Sequence, residues 1–218
     1  MNKLWLNKSG NKNCILFFNG WGMDENAVKH LNVDNYDVCM FYNYSSIENI
    51  EFDRGQYGNV YLVAWSLGVW AASVLINPEK VGFEKVIAIN GTQIPKNETL
   101  GIHPTTFENT IKKWTPRNRD KFNMRILGGK DAFLKWNSLL SLRACEEQKF
   151  ELEFINNQIN DKPIHNIKFD YSIIGEKDLI FLHENQVNFW KGKTNLIEMD
   201  LPHYPFGNFT SWDQLIHL

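Results

Sequence analysis

Ser66, Asp178 and His203 are the residues of this 218-residue chain whose types, order and surroundings point to chemistry. A serine hydroxyl becomes a nucleophile when a histidine takes its proton and a carboxylate holds that histidine in the right tautomer. Ser66 stands in Ala64-Trp65-Ser66-Leu67-Gly68, between the apolar run Val60–Ala64 and the Ala-, Leu- and Val-rich stretch Val69–Ile76. A buried strand that turns through a serine into a packed helix lifts the hydroxyl clear of the sheet, and small residues at 64 and 68 allow the close approach this needs. The same residues also suit a core strand followed by a helix with a serine N-cap, a reading without catalysis.

Asp178 follows the apolar run Tyr171–Ile174, and His203 follows Leu196–Met199. Serine, then acid, then histidine is the chain order in which strand-end loops of a parallel sheet deliver such a triad, with one helix between acid and base. Glu176 is the competing carboxylate, but Asp178 sits nearer the next helix start, where its plainer role is an N-cap. Asp200 directly follows a strand and is expected to shape the turn. His30, His103, His165, His183 and His217 fall in helices or in the polar middle of the chain, where solvated or packed histidines are expected.

Acyl transfer also needs N–H donors for the oxyanion. Leu67, just after the serine, is one candidate. Trp21 is the other, in Phe18-Asn19-Gly20-Trp21-Gly22 directly after the first buried run. Trp21 and Trp65 would flank the serine and offer an apolar wall to an acyl chain. A tight turn with one packed tryptophan is the plainer reading of Asn-Gly-Trp-Gly.

The elements that must position these groups are legible in outline. Apolar runs at Cys14–Phe18, Val38–Tyr42, Val60–Ala64, Val86–Asn90, Tyr171–Ile174 and Leu196–Met199 read as strands. Helical stretches are expected at Asn26–Leu31, after Ser66, ending near Trp190, and over Trp212–Leu218. Strands alternating with helices imply an α/β class, here an α/β-hydrolase fold with a mainly parallel central sheet flanked by helices. From about 95 to 166 the pattern turns polar and helical: Phe107, Ile111 and Trp114 share one face, and Leu134, Leu139, Leu140 and Leu142 suggest another apolar stripe. Met124–Leu127 is the one short strand signal there. The expectation is a single domain over 1–218 with a helical lid insertion at about 95–166.

Composition narrows the function class. Hydrophobic residues at 43% support a real core, and a formal net charge of −2 gives no global pull toward nucleic acid or an anionic membrane. Cys14, Cys39 and Cys145 lack metal-ligand spacing, so no metal site is expected, and the first two read as buried core thiols. Gly128-Gly129-Lys130 lacks the spacing of a phosphate-binding loop, and Arg143–Glu147 reads as a solvated helix face. The polar N-terminus carries no apolar leader and no run approaches a membrane span, so a cytoplasmic monomer without cofactor is the expectation.

Phe-Asn-Gly-Trp-Gly, Val-Ala-Trp-Ser-Leu-Gly-Val-Trp, Ile-Asn-Gly-Thr and Pro-His-Tyr-Pro-Phe together resemble the short, atypical branch of the pimeloyl-acyl-carrier-protein methyl ester esterases of biotin synthesis. The likeness runs from Leu16 to Trp212 and is weakest in the helical insertion. It implies a serine carboxylesterase that removes the methyl group from a pimeloyl chain on an acyl carrier protein, with Ser66 as nucleophile, His203 as base, Asp178 as its orienter, and Trp21 and Leu67 as oxyanion donors. An acidic carrier would then meet the basic residues of the insertion: Lys112, Lys113, Arg117, Arg119, Lys121, Arg125 and Lys130, diluted by Asp120 and Asp131. A solvated helical surface explains the same charges without docking. Two rivals stand beside this reading: another acyl hydrolase on the same fold, such as a thioesterase or small-ester carboxylesterase, and a hydrolase-like binding protein without chemistry.

Overall fold

Strands form where apolar and β-branched residues run uninterrupted, and the sheet they build is buried on both faces at its centre. The structure is a computed structural model that describes residues 1–162 and 164–218. Its strands are β1 (Asn2–Asn7), β2 (Asn13–Phe18), β3 (Tyr36–Tyr42), β4 (Asn59–Trp65), β5 (Lys85–Ile89), β6 (Tyr171–Gly175) and β7 (Asn195–Met199). They pair in the order β1-β3-β2-β4-β5-β6-β7. β1 is antiparallel to β3, and every other pairing is parallel. The interior of β2 is fully buried, as is most of β3, β4 and β5. Each such Val, Leu, Ile or Phe contributes roughly 1.5–3 kcal/mol relative to exposure.

The helices are α1 (Leu67–Leu75), α2 (Pro78–Val81), α3 (Pro104–Lys112), α4 (Pro116–Ile126), α5 (Lys130–Trp136), α6 (Cys145–Gln158), α7 (His183–Trp190) and α8 (Trp212–Ile216). α1 is apolar all round and buried along its whole length, as befits a helix enclosed by core rather than lying on it. α3 to α6 lie in the chain between β5 and β6. A mainly parallel sheet with helices in the connections between its strands is the α/β class expected from the sequence.

Several local expectations are corrected. Met124–Leu127 is not a strand: Pro116 at the first helical position and the Thr115 side chain, which accepts from Asn118 N–H, start a helix that runs through it. The leucine stripe does not form. α5 ends at Trp136, a 3-10 turn follows at Asn137–Leu139, and the broken period leaves Leu134 and Leu142 63% and 85% exposed while Leu139 and Leu140 are buried. Asn26–Leu31 is helical only as a 3-10 turn over Glu25–Ala27, because the Asp24 carboxylate draws in Asn26 N–H on one side and Leu142 N–H on the other. Arg143 is not solvated but buried against Glu151. β1 is an addition to the expected strands; polar at both ends, with Leu4, Trp5 and Leu6 only partly buried, it sits at the sheet edge.

Cys14 and Cys39 are fully buried in β2 and β3. Burial pushes their thiols up, to about 12 and about 11, and a thiol reacts as its thiolate. Native protein at neutral pH is therefore expected to leave both unlabelled by iodoacetamide, with full labelling in denaturant. Modification of either in native protein, read by peptide mass, would contradict this packing.

Candidate active site

Three loops at the ends of β4, β6 and β7 bring Ser66, Asp178 and His203 together. Ser66 follows β4 with φ 58 and ψ −130, a strained conformation for a residue with a Cβ. The strain, of order 1–3 kcal/mol, is held in place by the donation of Ser66 N–H to Ile89 O and the acceptance by Ser66 O of Val69 N–H. Gly91 passes so close behind that a Cβ there would lie 2.4 Å from Ser66 O.

Ser66 Oγ lies 2.9 Å from His203 Nε2, and His203 Nδ1 lies 2.8 Å from Asp178 Oδ2. The carboxylate only accepts, so Nδ1 carries the proton and Nε2 is left to accept the serine hydroxyl. Asp178 and His203 are each 3% exposed. The buried carboxylate is well satisfied: Oδ1 accepts the N–H groups of Ile180 and Phe181, and Oδ2 also accepts Gln186 Nε2. An imidazole so placed can draw the proton from Oγ as the oxygen attacks a carbonyl and return it to the leaving group. Glu176 and Asp200, the competing carboxylates, are exposed, and Asp200 pairs with Lys177 at 2.6 Å.

Trp21 and Leu67 sit beside this relay. Neither backbone N–H donates to a backbone acceptor among the described residues, and both residues line the same cavity as Ser66 and His203. That cavity is walled mainly by apolar side chains, among them Met23, Ile102, Phe107, Phe122, Leu152 and Ile180. The Trp21 ring packs on Trp114 and Phe122, with centroids 4.6 and 5.4 Å away. Trp65 touches the cavity but is only 1% exposed. Its larger job is structural: its indole N–H donates to His203 O at 2.9 Å, and its ring packs on His203, Tyr204 and Phe206.

The basic residues divide. Lys113, Lys121 and Arg125 line a more polar groove, which shares Thr106, Thr110, Phe122 and Arg125 with the serine cavity. Lys112, Arg117 and Arg119 line neither cavity; Arg119 instead donates to Arg143 O at 3.4 Å.

Sequence reasoning passed over Asn90. Its left-handed backbone (φ 47) ends β5, its amide donates to Pro202 O and His203 O, and its carbonyl accepts Gly175 N–H. One side chain thus joins the acid loop to the histidine loop. An asparagine-glycine pair ending a buried strand was the visible signal. Gln186, buried on α7, left none.

The fold is that of the α/β-hydrolases; an esterase from Exiguobacterium antarcticum, 14% identical, superposes with a TM-score of 0.68 over 99% of this chain and 93% of that one. The family is shown by sequence: residues 1–215 match the family model "Pimeloyl-ACP methyl esterase BioG", and the chain belongs to that family. The crystal structure of BioG from Haemophilus influenzae is 32% identical, with a TM-score of 0.90 and coverage of 99% of both chains. A Bacteroides fragilis protein named malonyl-[acyl-carrier protein] O-methyltransferase is 37% identical over 88% of this chain, which spans only 40% of that protein's length. Among the described residues no helix is long and apolar enough to cross a membrane.

Proposed function

We propose that this chain hydrolyses the methyl ester of a pimeloyl chain carried on an acyl carrier protein, in biotin synthesis. The observation that carries the reading is the hydrogen-bonded line from Ser66 through His203 to buried Asp178, opening on an apolar cavity. Ser66 Oγ attacks the ester carbonyl while His203 Nε2 takes its proton. The Trp21 and Leu67 N–H groups hold the oxyanion, and Asp178 keeps Nδ1 protonated and stabilises the imidazolium. Collapse of the tetrahedral adduct breaks the bond to methoxide, which leaves as methanol with the His203 proton. Water, deprotonated by His203, then attacks the acyl-enzyme, and the free carboxylate departs as Ser66 regains its proton.

Helices α3 and α4 act as a lid over the apolar cavity, and the groove with Lys113, Lys121 and Arg125 lies where an acyl chain would pass toward an acidic carrier. The methyltransferase name belongs to a protein of which this chain matches 40% of the length. We assign the methyl transfer to the remainder of that protein, and to this chain the removal of the group so installed. The test is incubation with methyl-pimeloyl-acyl-carrier protein followed by intact mass. Loss of one methylene with the thioester kept supports the reading. Release of the acyl chain from the carrier supports a thioesterase instead, and an inert protein supports a binding module.

Charge at the groove gives a further expected result. Lys113→Glu combined with Lys121→Glu raises KM for the carrier-bound ester by about tenfold with kcat little changed, because opposite charge mainly speeds encounter. Wild-type KM climbs with salt in the same assay while the variant's does not. An unchanged KM would remove the groove from carrier recognition.

A further inference from the structure

A buried polar cluster that the relay does not use joins α6 to the loop carrying Trp21. Glu151 is fully buried. Its Oε2 accepts Gly22 N–H at 3.2 Å and Arg143 Nη1 at 2.6 Å, and its Oε1 accepts Tyr44 N–H at 2.9 Å. Gln148, one turn earlier, donates from Nε2 to Gly22 O at 2.8 Å, while its backbone carbonyl accepts the Trp21 indole N–H at 2.7 Å. Arg143 also reaches Met23 O at 3.5 Å. The peptide groups that follow the Trp21 N–H are therefore held by α6 rather than by the sheet.

We propose that Glu151, braced by Arg143, is a positioning residue that aims the Trp21 N–H at the developing oxyanion. The inference rests on the proposed role of Trp21 as an oxyanion donor. Stability alone does not account for the cluster. An ion pair taken out of water contributes little net stability, and apolar side chains of the same volume would fasten a helix as well. Burial pushes the Glu151 carboxyl up from its ordinary range, against the pull of Arg143 and the two N–H groups. Two atoms, Arg143 Nη2 and Gln148 Oε1, find no partner among the described residues. What an apolar pair cannot do is accept two backbone N–H groups from different loops at once. That service fixes the Trp21–Gly22 peptide plane, and with it the direction of the N–H one residue earlier. Without it, the peptide is free to rotate and the oxyanion loses an aligned donor at the moment charge develops.

The experiment compares wild type, Glu151→Gln and Gln148→Met with para-nitrophenyl butyrate as substrate and an alkyl trifluoromethyl ketone as inhibitor, since the ketone forms an oxyanion on the serine. In Glu151→Gln, kcat is expected to fall by about 10- to 100-fold, a part of the loss seen when a whole oxyanion donor is removed. KM stays within about twofold, and the ketone's Ki rises by the same factor as kcat falls. Gln148→Met, which removes only the tie to Gly22 O, shows a smaller change of the same kind and carries the test if Glu151→Gln does not fold. A folded variant with a lowered melting temperature but unchanged kcat and Ki would overturn the positioning role. Ser66→Ala run alongside separates the two levels: if it is dead while the Glu151 variant behaves as wild type, only the positioning inference falls. If Ser66→Ala remains active, the catalytic reading falls with it.

Discussion

Ser66→Ala is expected to cut ester hydrolysis by about 10⁶, and His203→Ala by a similar factor, while the double variant is no worse than either alone. The three groups act as a unit, because Oγ has its proton drawn only through Nε2, 2.9 Å away, and Nε2 is free to accept only because Asp178 fixes the proton on Nδ1. Losing one member strands the others, so the penalties do not add. The alanine variant should fold as wild type does, since Ser66 N–H and O keep their backbone partners. Single-turnover assays on methyl-pimeloyl-acyl-carrier protein, with a near-ultraviolet dichroism spectrum as control, read both points. A variant retaining a tenth of the activity would place the chemistry elsewhere. A fluorophosphonate that labels wild type should leave Ser66→Ala untouched.

Gly68→Ala should damage the protein more than its single added methyl suggests. A Cβ at 68 would sit 2.3 Å from Phe18 O and 2.6 Å from Asn19 O. Both obstacles are backbone at the end of β2: Phe18 is paired with β3 and β4, and Asn19 O just beyond it accepts the buried Tyr44 hydroxyl, so neither yields without moving the strand. Relieving the overlap means pushing α1 away from β2, which separates Ser66 and Leu67 from Trp21. The expected loss is more than about 3 kcal/mol of stability, in the range that overpacking and backbone strain reach at their worst. Whatever fraction folds should show activity reduced by at least about 10²-fold, because misplacement by an ångström is enough for that. Denaturant titration and kcat on the soluble fraction check the two parts separately. A near-neutral result would mean that strand and helix are not in the close contact described.

Much of this site could be read before any coordinates, and the reason is local. The elbow joins a buried strand, a serine and a buried helix without a gap from Asn59 to Leu75, so its geometry is written in contiguous sequence. Asp178 and His203 each follow a strand with a clear apolar run, and chain order did the rest. The strands themselves were visible because a parallel sheet covered on both faces leaves unbroken apolar stretches. Edge strand β1, half-exposed and paired on one side only, left no such trace. The helical segment was legible as helical but not in its joints. Met124–Leu127 looks like a strand until Thr115 and Pro116, upstream of it, set a helix going, and the leucine stripe assumed one helix where two turns of different pitch occur. Arg143 reads as surface, since a charged residue beside an amphipathic helix is normally wet, and nothing local singles out Gln148 or Glu151. Their burial depends on Gly22 and Tyr44, more than a hundred residues earlier in the chain, and no local pattern encodes that.

The ties between α6 and the Trp21 loop give the segment between β5 and β6 a seam. On one side lie α3 and α4, which wall the cavity and carry the basic groove. On the other lies α6, bolted to the loop after β2 through Gln148 and Glu151. A recombination boundary drawn between them, near the exposed residues around Leu134, would let a foreign pair of helices bring a new acyl preference while the native α6 stays in place. A boundary drawn after α6 would exchange the Gln148 and Glu151 ties to the Trp21 loop along with the cavity wall. The cut point for such a graft lies inside the segment between β5 and β6 rather than at its ends.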